Sequence, residues 1–198
     1  MAETLRRHRP LEQLSETMQR AGGDGPRGVS LRELPIMAQV NLRADPSNAR
    51  FVDVLGFTLP TEPNTVAGDS DRAALWLGPD EWLLVAPEGA ERALEQALRG
   101  TIAGAHGSVV DVSANRTLLE LEGPMAREVL MKGCSLDLHP RRFGPGRCAQ
   151  TALARIQVIL WQLSDGPCYR ILVRCSFAPY LAEWLVDAMA EYQADDHH

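Results

Sequence analysis

Residues able to do chemistry are few in this sequence, and the densest group is the loop Asp137-Leu-His-Pro-Arg-Arg-Phe-Gly-Pro-Gly-Arg147. Arg141, Arg142 and Arg147 flank Gly144-Pro-Gly146 there. Guanidinium forks grip oxyanions, and glycine lets backbone N–H groups approach them, so this is the best anion site on offer. It is neither a phosphate-binding loop nor a dinucleotide fingerprint, and pairing with acidic residues of a partner is the favoured use. His106 and His139 stand alone in loops, with no serine or cysteine placed to complete a triad, so both read as structural. Asp111 and Ser113 read as strand-end and turn residues whose short side chains bond nearby backbone. Cys134, Cys148, Cys168 and Cys175 form no Cys-x-x-Cys pair and have no histidine pair beside them, which argues against zinc and for free thiols in a reducing cytoplasm. From residue 148 to 164 there is no Asp or Glu, and Arg155 is the one charge, so a mechanism needing a central carboxylate is disfavoured on this stretch. No catalytic residue and no metal ligand is assigned.

The elements that would carry these residues recur. In 115–133, Thr117, Leu119 and Leu121 alternate with Leu118, Glu120 and Glu122 as a strand. Gly123-Pro124 ends it and starts a helix with an apolar stripe at Met125, Ala126, Val129 and Leu130, and Gly133 is expected to cap that helix at positive φ. Residues 41–56 repeat the order: Asp45 caps, Pro46 starts, Phe51, Val52 and Leu55 make the stripe, and Gly56 closes. Each copy leads into a hairpin (74–86 and 158–173) and then a helix, bearing Ala90, Ala93, Leu94, Ala97 and Leu98 in one case and Leu181, Trp184, Leu185, Ala188 and Met189 in the other. Trp76 answers Trp161, and Trp82 answers Tyr169. Order and punctuation, more than residue identity, thus predict an α+β fold of two related β-α-β-β-β-α, ferredoxin-like halves. The halves fall at 31–113 and 114–192, after a flexible arm at 1–30 and before a tail at 193–198 that ends in a histidine pair.

At 198 residues the chain can bury a real core as one large domain or two small ones. A net charge of −6 argues against nucleic acid or an anionic membrane as partner. Arginine supplies nearly all the positive charge, since Lys132 is the one lysine. No run of eighteen apolar residues and no secretory signal is present, so a cytoplasmic protein with no membrane span is expected. The arm holds Arg6, Arg7 and Arg9, a short helix candidate at Leu11 and Leu14, and then Gly22-Gly-Asp-Gly-Pro-Arg-Gly28. It reads as a disordered tail, or as an arm ordered only on another subunit. Residues 58–70 read as a surface loop.

Several passages, in this order and spacing, resemble the gamma subunit family of heterotetrameric sarcosine oxidase. They are Leu31-Arg-Glu-Leu-Pro35 and the strand after it, Trp76-Leu-Gly-Pro-Asp-Glu-Trp-Leu-Leu-Val85, Val110-Asp-Val-Ser-Ala-Asn-Arg-Thr117 with Leu121-Glu-Gly-Pro124, Asp137-Leu-His-Pro140, Phe143-Gly-Pro-Gly146 and the strand at Thr151. More distantly, the strand-Gly-Pro-helix pattern is similar to the aminomethyltransferase (T-protein) folate-binding superfamily. The resemblance implies an aminomethyltransferase-like body without the superfamily's third, C-terminal domain. It implies a non-catalytic subunit supporting assembly of a complex that oxidatively demethylates sarcosine to glycine, with hydrogen peroxide and 5,10-methylenetetrahydrofolate or formaldehyde as the other products. It places FAD, FMN, NAD, zinc and tetrahydrofolate on the alpha, beta and delta subunits, with no cofactor on this chain, and makes the folate-binding domain of alpha the chief partner. The catalytic aspartate of true aminomethyltransferases would fall where this chain reads Ala152-Leu-Ala-Arg-Ile-Gln-Val-Ile-Leu160, so transferase activity is not expected. Two alternatives stay open: a stand-alone folate-binding or aminomethyltransferase-like protein, with Arg141, Arg142 and Arg147 on the folate tail, and the equivalent subunit of a related N-methyl amino acid dehydrogenase.

Overall fold

The computed structural model describes residues 8–193. The expectations for the first seven residues of the arm and for the C-terminal histidine pair lie outside that range. Two five-stranded antiparallel sheets are built from the same order of elements. The first half runs β2 (Met37–Arg43), α2 (Phe51–Leu55), β3 (Val66–Gly68), β4 (Ala73–Gly78), β5 (Glu81–Pro87), α3 (Glu91–Thr101) and β6 (Ser108–Asp111). The second runs β7 (Arg116–Glu122), α4 (Ala126–Met131), β8 (Cys148–Leu153), β9 (Ile156–Ser164), β10 (Cys168–Arg174) and α5 (Ala178–Met189). Ahead of both lie α1 (Ser15–Arg20) and β1 (Ser30–Glu33). The strand orders are β3-β4-β5-β2-β6 and β1-β7-β10-β9-β8, so read from the other end the second sheet is β8-β9-β10-β7-β1. Position for position, β1 fills the place that β6 takes in the first sheet.

That placement changes the expected boundary at residue 31. Leu31 pairs with Leu121 and Glu33 with Leu119, so the strand read as the start of the first half belongs to the second half's sheet. The arm is also not free over its described part. Leu11 is fully buried and Met18 and Ala21 nearly so, all within the core on the second sheet's helix face. Burying a leucine and a methionine contributes about 1.5–3 kcal/mol each, which offsets the ordering of the glycine-rich stretch behind them.

Helices cover the outer face of each sheet. Phe51, Leu55, Leu94 and Leu98 from α2 and α3 pack on Val40, Leu42, Trp82 and Leu84. Leu181, Leu185 and Met189 of α5, with Val129 and Leu130 of α4, pack on Leu119, Leu121, Tyr169 and Ile171. The inner faces meet in a third apolar layer of Leu75, Leu83, Val85, Leu118, Ile159, Trp161 and Leu172. At one edge the sheets are stitched by backbone: Val66 N donates to Gly146 O at 2.9 Å and Cys148 N to Asn64 O at 2.9 Å. The expected surface loop at 58–70 therefore contains both β3 and this junction.

Local punctuation departs from expectation at three points. Asp45 does not cap a helix but closes a turn, its Oδ1 accepting from Ser47 N at 2.9 Å, and α2 begins only at Phe51. Gly56, in contrast, ends α2 at φ 84° as expected. Gly133 is not at positive φ, and its lack of a side chain serves contact instead: a Cβ there would lie 2.5 Å from the Trp184 ring. Finally, Trp82 and Tyr169 do correspond, but Trp76 and Trp161 face opposite ways. Both hairpins carry the same irregularity beside their turns, so Trp76 opposite Trp82 corresponds to Gln162 opposite Tyr169, while Trp161, one residue earlier, pairs with Arg170 and faces the layer between the sheets as Leu75 does in the first half.

Candidate functional site

The polar chemistry of the molecule gathers at the two ends of the inter-sheet layer and in the loop beside the sheet junction. At one end, alternation along β7 sends Leu118 and Glu120 inward together. Glu120 is 5 % exposed and stands between Arg32 of β1 and Arg170 of β10, its partners in register on either side. Arg32 donates Nε to Glu120 Oε1 at 2.9 Å, Arg170 Nε lies 3.5 Å from Oε2, and the Arg170 guanidinium sits 5.2 Å over the Trp161 ring. Arg170 also donates to Ser70 O, which ties the second sheet to a turn of the first half. Hydrogen bonding and charge from Glu120 hold the Arg32 guanidinium above its ordinary pKa.

Glu120, Glu122 and Cys168 place one potential ligand atom each within 4.8 Å of one another. The arrangement is a poor cation site. Two guanidinium groups already answer Glu120, and burial, with the neighbouring carboxylates, pushes the Cys168 thiol up to about 11. Cys148 is pushed up to about 12 by burial between the sheets, and burial raises Cys175 as well. These thiols are neutral packing groups, not nucleophiles.

At the other end, Asp111 and Ser113 form the turn that carries the chain from the first half into the second. Ser113 N and Oγ both donate to Asp111 Oδ1, at 2.9 and 2.5 Å, and Ser113 Oγ accepts from Gln39 N at 2.8 Å. Gln39, buried, donates its amide to Arg116 O at 2.8 Å. The hydroxyl is thus committed to holding this turn on β2, and the Gln39 side chain carries the link on to β7, in keeping with the local reading of these two residues.

Glu33 was not singled out by sequence reasoning. It is buried on the helix side of β1 and accepts from Thr117 Oγ1 at 2.7 Å and from Leu11 N at 3.3 Å. Burial raises its pKa, and the two hydrogen bonds oppose that only in part. The available signal was alternation, which puts Glu33 on the same face of β1 as Leu31.

The loop 137–147 does not gather its arginines. Arg147 is engaged at the sheet junction, 2.9 Å from Glu62. Arg141 and Arg142 are exposed, and no side-chain hydrogen bond or ion pair engages either among the described residues. Phe143 is buried beneath them and anchors the loop. His139 accepts Arg141 N at Nδ1 (3.2 Å), and His106 is exposed in the turn before β6. Neither histidine touches a nucleophile. Exposed apolar side chains complete the surface: Phe177 and Tyr180, three residues apart at the start of α5, are each 45 % exposed, and Met131 is 54 % exposed. No helix is long and apolar enough to cross a membrane among the described residues.

With this geometry in hand, the comparisons are specific. The model of the "Sarcosine oxidase, gamma subunit family" matches residues 41–191. The sarcosine oxidase subunit gamma of Corynebacterium sp. (strain U-96) is 45 % identical over 195 residues, which is 96 % of this chain and 94 % of that one. The Arthrobacter sp. subunit gamma is 44 % identical over 193 residues, 96 % of this chain and 93 % of its own. A chain of the heterotetrameric sarcosine oxidase from Corynebacterium sp. U-96, solved with pyrrole 2-carboxylate, superposes with a TM-score of 0.89 at 44 % identity, covering 97 % of this chain and 99 % of that chain. The aminomethyltransferase T of the glycine cleavage system from Bartonella henselae shares the fold alone: TM-score 0.59, 19 % identity, with 89 % of this chain on 56 % of that one.

Proposed function

The chain belongs to the sarcosine oxidase gamma subunit family, and from that premise we propose that it is the non-catalytic gamma subunit of a heterotetrameric sarcosine oxidase, holding the complex together. The observation that carries this reading is the near-complete match, in sequence and in fold, to a chain of such a heterotetramer, with almost no length left over on either side. The chemistry of the side chains supports the division of labour. Buried thiols are held neutral, the Asp111–Ser113 pair is used within the backbone junction, and the buried carboxylate Glu120 is neutralised by Arg32 and Arg170. FAD, FMN, NAD, zinc and tetrahydrofolate then belong to the alpha, beta and delta subunits, and the assembly works in the cytoplasm.

Docking is assigned chiefly to the folate-binding domain of alpha. Phe177, Tyr180 and Met131 offer exposed apolar area for it, and Arg141 and Arg142 offer charges that nothing within this chain engages among the described residues. The test is co-expression of a tagged chain with the other three subunits, followed by affinity purification. Recovery of a flavin-bearing complex of four chains supports the reading. A tagged chain that elutes alone, and that titrates tetrahydrofolate in a calorimeter, replaces it with a folate-binding protein.

A further inference from the structure

The last register pair of β7 and β10 brings two arginines face to face. Arg116 and Arg174 are cross-strand partners, and both point to the inner side of the second sheet, as Leu118 and Leu172 do one pleat further in. Like charges directly opposite destabilise a strand pair unless an anion answers them. No hydrogen bond or ion pair engages either guanidinium among the described residues. The acid on the facing sheet whose charge reaches Arg116, Glu81, is already held by Asn41 Nδ2 at 2.8 Å and lies 3.7 Å from Arg43. Arg116 is half-buried, and its pKa is lowered by burial first and by Arg174 second, with Glu81 opposing more weakly. The backbone beneath the pair is pinned. Gln39 Nε2 donates to Arg116 O at 2.8 Å, and Cys175 N donates to Asn115 O at 3.0 Å. A doubly positive corner on a pinned backbone, with Arg116 half-buried and Arg174 exposed at the mouth of the inter-sheet layer, stands ready for an external carboxylate in a chain whose net charge is −6.

We propose that Arg116 and Arg174 together receive the carboxylate of an acidic side chain from the subunit on which this chain docks, an inference that rests on the subunit reading above. Bidentate arginine–carboxylate pairing would supply geometric register as well as attraction, and covering the corner would remove the repulsion that the isolated chain carries.

Arg116→Gln/Arg174→Gln is co-expressed with the other subunits beside the wild-type chain, and retention of the complex on the tagged chain is measured at low and at high salt. The isolated chains are also melted thermally. The expected result is that the variant melts no lower than wild type, because a like-charge pair has been removed, while its retention of the partner subunits at low salt falls by about 10-fold or more and loses most of its salt dependence. Equal retention of wild type and variant at both salts overturns the proposal. So does a variant that melts well below wild type, which would make the pair an internal structural device. So does normal assembly of the variant combined with thermal stabilisation of the wild-type chain alone by acetate, which would assign the corner to a free carboxylate. Failure of the wild-type chain itself to retain any subunit is a different outcome and removes the subunit reading on which the proposal stands.

Discussion

Neutralising Glu120 isolates the contribution of the buried charge cluster that ties the sheets together. In Glu120→Gln the size and shape of the side chain are kept, but Arg170, whose side chain is 9 % exposed, loses its one carboxylate partner among the described residues. Breaking a buried pair by removing one partner costs about 3–5 kcal/mol, because the other charge is left uncompensated. Here Arg170 keeps its bond to Ser70 O and its seat over Trp161, so the lower end, about 3 kcal/mol, is expected. Arg32 adds little to this, since its side chain is 67 % exposed and water replaces the lost partner. For a domain of this size the loss corresponds to a drop in melting temperature of roughly 10 °C. Urea unfolding followed by tryptophan fluorescence reads it directly, with Trp161 lying under the affected guanidinium. A cycle with Arg170→Met and the double variant should show a coupling of about 2 kcal/mol or more, the double variant being more stable than Glu120→Gln alone. A loss below about 1 kcal/mol for Glu120→Gln, or additive single variants, would refute the claim that these charges depend on one another.

Three further outcomes are expected. Gly133→Ala should destabilise by about 1–3 kcal/mol in the same unfolding assay, because its Cβ would meet the Trp184 ring at 2.5 Å, and pairing it with Trp184→Leu should recover part of the loss. Arg155→Gly should stabilise by about 1 kcal/mol, since Arg155 is exposed at φ 73° in the β8–β9 turn, where an L side chain is strained; a melt no higher than wild type counts against strain there. Glu33 takes up a proton more readily folded than unfolded, so its contribution to stability rises as pH falls from above its raised pKa toward the ordinary carboxylate value and is lost again as pH climbs through that window. The melting temperature of wild type relative to Glu33→Gln should therefore increase as the solution is acidified from neutral, and a difference independent of pH would show that the group is not buried as described.

Local pattern made the repeat, the two hairpins, the helix at Glu91–Thr101 and the αL cap at Gly56 readable, because each is written within a dozen residues by alternation, helical spacing or a glycine. What could not be read is what depends on distant partners. Nothing local in Leu31-Arg-Glu-Leu-Pro35 says that it pairs with a strand some ninety residues on, and the burial of Leu11 and Met18 was hidden by the glycines that follow them. Gly133 was read for its backbone freedom, when the cause is an aromatic ring brought in by α5. Trp161 lies one residue out of step with Trp76, whose place in the second hairpin Gln162 holds, and a match on residue type hid the change of face that one step along a strand brings. The candidate site shows the same division. The loop arginines were visible as a charge cluster, whereas the Glu120 and Arg116 pairings exist only once β1, β7 and β10 are laid side by side.

The most direct test of the central claim is omission. The other three subunits are expressed with and without this chain, and flavin content and sarcosine-dependent peroxide formation are measured on the purified material. If the chain is a non-catalytic subunit that holds the assembly together, leaving it out should lower the yield of intact complex and the total activity in proportion, with activity per bound flavin in any surviving complex nearly unchanged. An intact complex whose activity per flavin collapses without this chain would contradict the account and place a working residue of the reaction on it.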